Sequence, residues 1–262
     1  MLGMRVHHIE APEARDSILD RATQSGAAAM PARMICAANV HMTMESWDHP
    51  AFQATVNGAD LAVADGVPMV WALRLLGLPQ QCRVRVSPDL LLELFAACEA
   101  RDLRIGLYGG SEETLDAFMR FLGREYPALR VACAISPPFR PPTLDEDARD
   151  TGAIREAGVQ LLLVGIGCPK QERWMAAHRK RLSCTMFGVG AAFDLFGGRT
   201  RNAPAWTRDI GLEWAYRLLL EPRRLWRRYL YQNPRFVALF VRQLFRERRA
   251  AATAGQGRRR GA

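Results

Sequence analysis

The sequence predicts an α/β protein: a Rossmann-like sandwich built on a parallel sheet, followed by a helical, Arg-rich, membrane-associating appendage. Two patterns indicate this class. Between residues 34 and 190, short apolar runs alternate with longer helical patterns, as parallel strands joined by right-handed crossover helices do. From Pro204 onward no strand pattern appears, and the helix-forming stretches are broken at Pro222 and Pro234.

Six short apolar runs predict the strands of the sheet, because buried parallel strands are apolar on both faces. They lie at 34–40, 60–64, 104–109, 131–135, 160–167 and 185–190. Helices are predicted near 50–57, 66–76, 87–100, 111–125, 145–157 and 171–181. Two helix starts carry clear signals: Ser87 before Pro88, and Ser111 before Glu112 and Glu113.

The change of pattern near residue 200 sets the predicted domain organisation. Residues 1–200 are predicted to form the Rossmann-like α/β core, 201–250 a basic helical appendage and 251–262 a disordered tail. No stretch approaches the roughly 20 apolar residues of a transmembrane helix. The N-terminus lacks the apolar core of a secretory signal, and the six cysteines show no CxxC spacing, so reduced thiols in the cytoplasm are favoured.

All of the excess positive charge lies in the last quarter of the chain. Residues 199–262 hold 16 Arg, no Lys and four acidic residues, a net charge of +12, against +9 for the whole chain. Tryptophan, tyrosine and leucine separate these arginines in GLEWAYRLLLEPRRLWRRYL, residues 211–230. A segment that is cationic and apolar matches lipid headgroups or a lipid-linked phosphate.

The final helical stretch is predicted to be amphipathic. One face carries Phe236, Leu239, Phe240 and Leu244, and another carries Arg235, Arg242, Arg246 and Arg249. With Trp226 and Tyr229 nearby, this segment is predicted to anchor the protein at a membrane surface.

Ligands of open parallel sheets bind at the carboxyl ends of the strands. Asp65 stands at such a position, where a carboxylate can act as a general base or bind a ribose; capping of the helix that starts near Val67 explains it equally well. Gly109 and Gly110 form a turn whose N–H groups could hold a phosphate, although such pairs are often only turns.

The segment VGIGCPKQERWM, residues 164–175, is the third candidate at a strand end. Gly165 and Gly167 allow a ligand to approach the backbone, and Gln171 at the next helix start can pair with a uracil or ribose edge. For Glu172, a favourable interaction with the helix dipole alone is the simpler explanation.

Other polar residues are weaker candidates. His41 follows Asn39 and could reach the site, but a lone histidine is more often structural. The acidic run 145–147 matches the D-x-D pattern of metal–nucleotide sites, yet it follows a proline-rich loop, which favours an acidic first helical turn. No Ser/His/Asp set, Walker loop or histidine cluster at metal spacing is present, so no metal or cofactor is predicted.

These motifs together resemble the WecG/TagA/CpsF family of bacterial glycosyltransferases. The resemblance runs from about Asn39 to Leu230. Its blocks are ANVHMTME (38–45), ADGVPMVWALRLLG (64–77), RVSPDLL (85–91), LYGG (107–110), GIGCPKQERWM (165–175), GVGAAFDLFGG (188–198) and GLEWAYRLLLEPRRLWRRYL (211–230). Seven blocks in one order are far more specific than any single motif.

The resemblance implies an inverting, metal-independent transfer of a sugar from a UDP-sugar to a polyprenyl-diphosphate-linked sugar during assembly of a surface polysaccharide. It implies a peripheral position on the inner face of the cell membrane; a homo-oligomer stays open. It assigns Asp65 as general base with Asn39 beside it, and Gln171 to the nucleotide sugar. It also implies Arg217, Arg224 and Arg227 near the diphosphate. Separately from the resemblance, substrate binding is predicted for Gly109, Gly110, Gly165, Gly167, Gly190 and Asp194.

Three departures from the family pattern leave the sugar specificity open. Ala37 stands where some members carry threonine, Pro88 replaces a frequent glycine, and Asn202-Ala203-Pro204 replaces a frequent Arg-Ala-Pro. The main alternative is a non-enzymatic protein that binds nucleotides or nucleic acid, given the pI near 9.8. The slightly acidic sheet portion disfavours nucleic acid, and the missing GxGxxG disfavours a Rossmann dehydrogenase.

Overall fold

In the computed structural model of the chain, the described residues are 1–25, 31–200, 203, 204, 207 and 213–260, without the side chains of 217, 224, 228 and 250–260. Six parallel strands form one sheet in the order β2-β1-β6-β5-β3-β4. They are β1 Arg33–Ala38, β2 Leu61–Ala64, β3 Ile105–Gly109, β4 Val131–Ile135, β5 Leu161–Gly165 and β6 Thr185–Gly188. The predicted parallel α/β sheet is confirmed.

Helices cover both faces of the sheet. Within the described residues, those of the α/β part are α1 Ala11–Thr23, α2 Val40–Asp48, α3 Pro50–Asn57, α4 Val67–Leu75, α5 Leu91–Ala100, α6 Glu112–Glu125, α7 Leu144–Glu156, α8 Lys170–His178 and α9 Ala192–Phe196. Then follow α10 Glu213–Leu220, α11 Pro222–Trp226 and α12 Asn233–Arg260, with wider helical turns at Val86–Leu90 and Arg227–Gln232. The sequence patterns missed α1, α2 and α9.

The alternation of side chains along the strands divides the apolar core in two. On one face, Ile35 of β1 and Leu163 of β5 pack with α1, α5, α6 and α9. On the other face, Met34 and Val164 from the same strands pack with α2, α3, α4 and α8. Because successive strand residues point to opposite faces, both layers of helices bury apolar surface against a single sheet.

The two predicted N-caps had different outcomes. Ser111 caps α6, since its Oγ accepts a hydrogen bond from Thr114 N at 3.3 Å. The prediction for Ser87 is confirmed only in part: its backbone is extended, as at an N-cap, but its buried Oγ has no hydrogen-bond partner among the described residues. Pro88 follows it in the turn that leads into α5.

The last helix packs against the α/β core with part of its apolar surface. Phe236 and Phe240 are only 2% and 5% exposed and belong to the core cluster that contains α2. The guanidinium of Arg235 pairs with both carboxylate oxygens of Asp48 in α2, at 2.5 and 2.6 Å. The prediction that this apolar face contacts lipid is therefore wrong for Phe236 and Phe240, because the core of the protein covers both side chains.

A different side of α12 faces outward. Val237, Val241 and Phe245 are 54%, 42% and 62% exposed and follow each other at intervals of four residues. The helix also continues to Arg260, beyond residue 250, where the sequence predicted disorder. Ala250, Ala251 and Ala252 favour this continuation, since alanine has the highest helix propensity. None of the described helices combines the length and apolar character that crossing a bilayer requires.

Candidate active site

Asp65 and Asn39 lie side by side because their strands are neighbours in register. Ala38 at the end of β1 pairs with Ala64 at the end of β2. The next residues are therefore adjacent, and Asp65 N donates a hydrogen bond to Ala38 O at 2.8 Å. A pocket of about 120 Å³ opens here. Its described lining is Asn39, Val40, His41, Asp65, Gly66, Val67, Pro68, Arg83, Glu213, Trp214, Tyr229 and Asn233.

The pocket is small for a whole nucleotide sugar. Sites for drug-sized ligands usually enclose about 300–1,000 Å³. The volume of about 120 Å³ is below this range, so a nucleotide sugar would extend beyond this pocket.

Asn39 has a structural role in addition to its place in the pocket. It is the N-cap of α2, and its Oδ1 accepts a hydrogen bond from Met42 N at 3.1 Å. Its Nδ2 donates to Ala37 O at 3.4 Å. The cap ends β1 at Ala38, which explains why the predicted strand, extended to residue 40, was too long.

Asp65 is not the N-cap of the following helix. Gly66 occupies that position with φ +121°, a conformation that L side chains rarely adopt, and no side chain caps α4. The carboxylate of Asp65 instead faces Arg83, whose Nη2 lies 3.4 Å from Oδ1. Of the two explanations offered by the sequence, the geometry thus excludes the helix cap, and the functional role of the carboxylate stays a prediction.

Arg83 is a site residue that the sequence patterns did not reveal. Val84 N donates to Ala64 O at 3.0 Å, which lays this segment beside the end of β2. The segment alternates, so that Val84 and Val86 are buried while Arg83 and Arg85 turn to the other side. The alternation of arginine and valine at residues 83–86 was the sequence pattern that could have revealed Arg83.

One guanidinium joins the core carboxylate to the appendage. Arg83 Nη1 donates to Glu213 Oε2 of α10 at 3.0 Å, while Nη2 faces Asp65. Burial acts to lower the pKa of Arg83, but the two carboxylates outweigh it, and the pKa is raised. Arg83 therefore stays protonated, and its positive charge stabilises the ionised form of both neighbours.

Two buried N–H groups at this site have no hydrogen-bond partner among the described residues: Nε of Arg83 and Nε of Arg85. Arg85 Nε lies 4.0 Å from Glu213 Oε2, within ion-pair range but too far for a hydrogen bond. Buried donors are normally satisfied, so these two N–H groups are exceptions within the described part of the chain.

The appendage closes one side of the pocket with aromatic and polar side chains. Trp214 and Tyr229 pack with their ring centroids 5.9 Å apart. Arg227 does not line this pocket; it is exposed, and its guanidinium lies 5.4 Å from the ring centroid of Trp226. The side chains of Arg217 and Arg224, also predicted for the site, lie outside the described part of the chain.

His41 lines the pocket and contacts the appendage. Its Nδ1 lies 2.8 Å from Gln232 Oε1, and its Nε2 lies 3.4 Å from Cys168 O. Glu45, one turn along α2, is 3.9 Å from Nδ1. His41 thus links α2, the loop before α8 and the appendage. These contacts give it a positioning role.

The glycines predicted for ligand binding separate into two groups. Gly109 and Gly165 are paired in register, and a Cβ on Gly109 would lie 2.5 Å from Gly165 O. A Cβ on Gly165 would lie 2.2 Å from the ring of Phe193. These two glycines are required by packing. Gly167 and Gly190, with positive φ and no atom within 4 Å of such a Cβ, border open space.

Gly110 belongs with neither group. It has φ +72°, and a Cβ there would touch Phe193 and Thr114 at 3.4 Å. Its carbonyl accepts a hydrogen bond from Ser136 Oγ at 2.9 Å. Arg199 lies near the same helix start, with Nη1 3.3 Å from Thr114 Oγ1.

Gln171 is buried, and both ends of its amide are occupied. Nε2 donates to Glu172 Oε1 at 2.7 Å, and Oε1 accepts from Gly190 N at 3.2 Å. It fastens the loop after β6 to the start of α8. Glu172 is fully buried, which raises its pKa, so it does more than favour the helix dipole.

The acidic run 145–147 is explained locally, whereas the role of the Asp194 carboxylate in substrate binding stays a prediction. Asp194 lies in α9, and its carbonyl accepts from Arg199 N at 2.8 Å. The acidic run at the start of α7 is a capped first turn, with Thr143 and Glu146 forming a capping box. Asp147 faces His178 Nε2 at 2.9 Å and pairs with Arg181. No group of three metal-ligating side chains occurs among the described residues.

Known proteins provide an independent line of evidence. Residues 1–250 match the model of the glycosyl transferase WecG/TagA/CpsF family. An N-acetylglucosaminyldiphosphoundecaprenol N-acetyl-beta-D-mannosaminyltransferase of Bacillus spizizenii is 26% identical over 209 residues, 79% of this chain and 78% of the relative. A protein of the same name from Staphylococcus aureus strain NCTC 8325 is 29% identical over 195 residues, 74% of each chain. The chain therefore belongs to the WecG/TagA/CpsF family of glycosyl transferases.

Proposed function

We propose that this glycosyltransferase moves N-acetylmannosamine from a UDP-linked donor to a polyprenyl-diphosphate-linked N-acetylglucosamine, with inversion at the anomeric carbon. The donor sugar and acceptor are those in the names of its relatives. The observation that carries the proposal is the pocket at the ends of β1 and β2, which Asp65 and Arg83 both line.

Asp65 is the general base in this proposal. The acceptor hydroxyl oxygen attacks the anomeric carbon and forms the new glycosidic bond, while its proton passes to the Asp65 carboxylate. The bond between the anomeric carbon and the β-phosphate oxygen breaks, and its electron pair leaves with UDP. Arg83, 3.4 Å from Oδ1, keeps the carboxylate ionised and oriented before the proton arrives.

Arginines stabilise the phosphate groups. Arg83 lines the pocket, and its guanidinium is a cation that suits a phosphate oxygen. Arg217, Arg224 and Arg227 of the appendage are proposed to meet the diphosphate when the lipid-linked acceptor arrives, as the family resemblance implies. Gln171 shapes the donor side by holding Gly190.

The protein is proposed to work at the inner surface of the cell membrane, because its acceptor is anchored there. The outward stripe of α12, formed by Val237, Val241 and Phe245, supplies the apolar contact. Arg242, Arg246 and Arg249 on the same helix are exposed and match anionic headgroups.

The reaction is tested by incubating the protein with a panel of UDP-sugars and a synthetic polyprenyl-diphosphate-N-acetylglucosamine, followed by mass spectrometry of the lipid product. We expect transfer from UDP-N-acetylmannosamine above all other donors. The variant Asp65→Asn should lower kcat by at least about 100-fold, because the positioned base is lost. Binding of UDP-sugar and the melting temperature should change little.

Asp116→Asn, on the exposed side of α6, is the matched control for the loss of one carboxylate. It should turn over like the unchanged protein. Near-normal turnover of Asp65→Asn would remove Asp65 as the base, and absence of any lipid product with every donor would remove the proposed reaction.

A further inference from the structure

Helix α4 carries an apolar stripe on its exposed side. Trp71 and Leu75 are 61% and 54% exposed, and they lie four residues apart, on one face of the helix. The opposite side of α4 is fully buried through Met69, Ala72 and Leu73. Single exposed apolar residues are ordinary, but aligned ones on a helix that is already anchored in the core mark a contact surface.

This stripe begins at the catalytic pocket. Val67, four residues before Trp71, lines the pocket together with Pro68, and Asp65 comes directly before α4 in the chain. Val67, Trp71 and Leu75 therefore form one continuous line. At a rise of about 1.5 Å per residue, the line runs roughly 12 Å from the pocket along the helix.

We propose that Trp71 and Leu75 bind the first isoprene units of the lipid-linked acceptor, and that α4 guides the chain away from the catalytic pocket. The inference rests on the proposed function, in which the acceptor sugar reaches Asp65 while its diphosphate is attached to an apolar chain. That chain has to leave the pocket along some surface, and this stripe is an apolar surface continuous with it.

Arg74 is exposed between Trp71 and Leu75, and its Nε donates to Gln81 O at 2.9 Å, which keeps the side chain close to the helix. It stands near the far end of the stripe, so the diphosphate, which stays at the pocket, is not its partner. A second protein copy fits less well, because stable interfaces involve about 20–30 residues on each side.

The test compares two acceptors that differ only in their lipid. One is N-acetylglucosamine diphosphate linked to undecaprenol, and the other carries a short, water-soluble alkyl tail. We expect the double variant Trp71→Gln, Leu75→Gln to raise KM for the long-chain acceptor by roughly tenfold or more, since two apolar contacts are lost. KM for the short-tailed acceptor should stay within about twofold.

The matched control is the double variant Phe139→Gln, Leu144→Gln. These residues are also exposed and apolar, but they follow β4, at the opposite edge of the sheet from β2 and α4. Their replacement should leave KM unchanged for both acceptors. Circular dichroism melting of each variant should show that the fold is retained.

Several outcomes would overturn the proposal. An equal rise in KM for both acceptors would mean that α4 acts on the sugar diphosphate and not on the chain. Weaker binding to empty anionic vesicles would assign the stripe to the bilayer, and a lower molar mass in light scattering would assign it to a second copy. If the unchanged protein glycosylated neither acceptor, the proposed function itself would fail.

Discussion

Glu172 is a carboxyl group that the fold encloses completely at the start of α8. Gln171 donates a hydrogen bond to its Oε1, while its Oε2 has no partner among the described residues. Burial is the main cause that raises its pKa, and the hydrogen bonds only partly oppose it. The folded protein therefore retains a proton on this group at pH values where the unfolded chain has released it.

This difference predicts a pH dependence of stability. In the unfolded chain Glu172 titrates near its ordinary value of 4.5. Above that pH the folded state binds more protons than the unfolded state, so the free energy of unfolding falls as pH rises toward the folded pKa. The variant Glu172→Gln lacks this loss, and its stability relative to the unchanged protein should increase with pH across that window.

Urea unfolding at several pH values from 4.5 upward measures the effect. The exposed Glu156→Gln, near the end of α7, is the control and should shift the free energy of unfolding by the same small amount at every pH. Parallel curves for Glu172→Gln and the unchanged protein would contradict a raised pKa.

At the level of single residues, the sequence predicted the site only in part. Asp65 could be predicted, since it directly follows the apolar run 60–64, whereas Asn39 came from the family resemblance, because the predicted strand 34–40 included it. Arg83 could not, because its place depends on a backbone hydrogen bond of Val84 to β2. Glu213 lies 130 positions further along the chain, and no local pattern links it to Arg83.

Helix α12 shows how one element can have two apolar sides with different roles. The side with Phe236 and Phe240 is buried on α2, while the side with Val237, Val241 and Phe245 is exposed. Periodicity in the sequence identified an amphipathic helix correctly. It could not decide which apolar residues the rest of the protein would cover, because that depends on the docking of α12.

The two sides of α12 predict opposite effects for the same substitution. Phe236→Ala should lower the free energy of unfolding by roughly 3–5 kcal/mol, because a buried ring is replaced by a cavity. Phe245→Ala should change it by less than about 0.5 kcal/mol. The exposed variant should instead lower partitioning to anionic vesicles by about tenfold.

Chemical denaturation and vesicle sedimentation of both variants provide the readouts, each variant serving as the control of the other. If Phe245→Ala bound vesicles as tightly as the unchanged protein, the outward stripe would not be a membrane contact. If Phe236→Ala were as stable as the unchanged protein, α12 would not be part of the folded core.

At the scale of the whole molecule, the α/β core alone forms an incomplete pocket. Glu213, Trp214, Tyr229 and Asn233 all come from beyond residue 200. Further contacts hold the appendage in place, including the hydrogen bond from Leu2 N to Gln243 Oε1 at 2.8 Å and the pair formed by His41 and Gln232. The predicted boundary near residue 200 therefore divides the chain by sequence pattern, but residues from both sides of it line the same pocket.

Removal of everything after residue 200 should abolish both membrane association and sugar transfer, because the pocket loses one wall and Arg83 loses Glu213. Vesicle binding and product formation measure the two losses. Circular dichroism reports whether the truncated core still folds. The full-length variant Glu213→Gln removes one charge from the appendage side of the pocket without truncation, and we expect it to lower kcat/KM. Normal turnover of the truncated chain would reduce the appendage to an anchor.

The sharing of Arg83 by Asp65 and Glu213 couples the chemistry to the docking of α10. The two carboxylates compete for one guanidinium, so a shift of Arg83 toward either partner weakens its hold on the other. Protonation of Asp65 during the reaction would leave Arg83 free to bind Glu213 more tightly. By thermodynamic reciprocity, any event that tightens the hold of Arg83 on Glu213 makes Asp65 more ready to accept a proton. Docking of the appendage and the proton affinity of Asp65 are therefore thermodynamically coupled through Arg83.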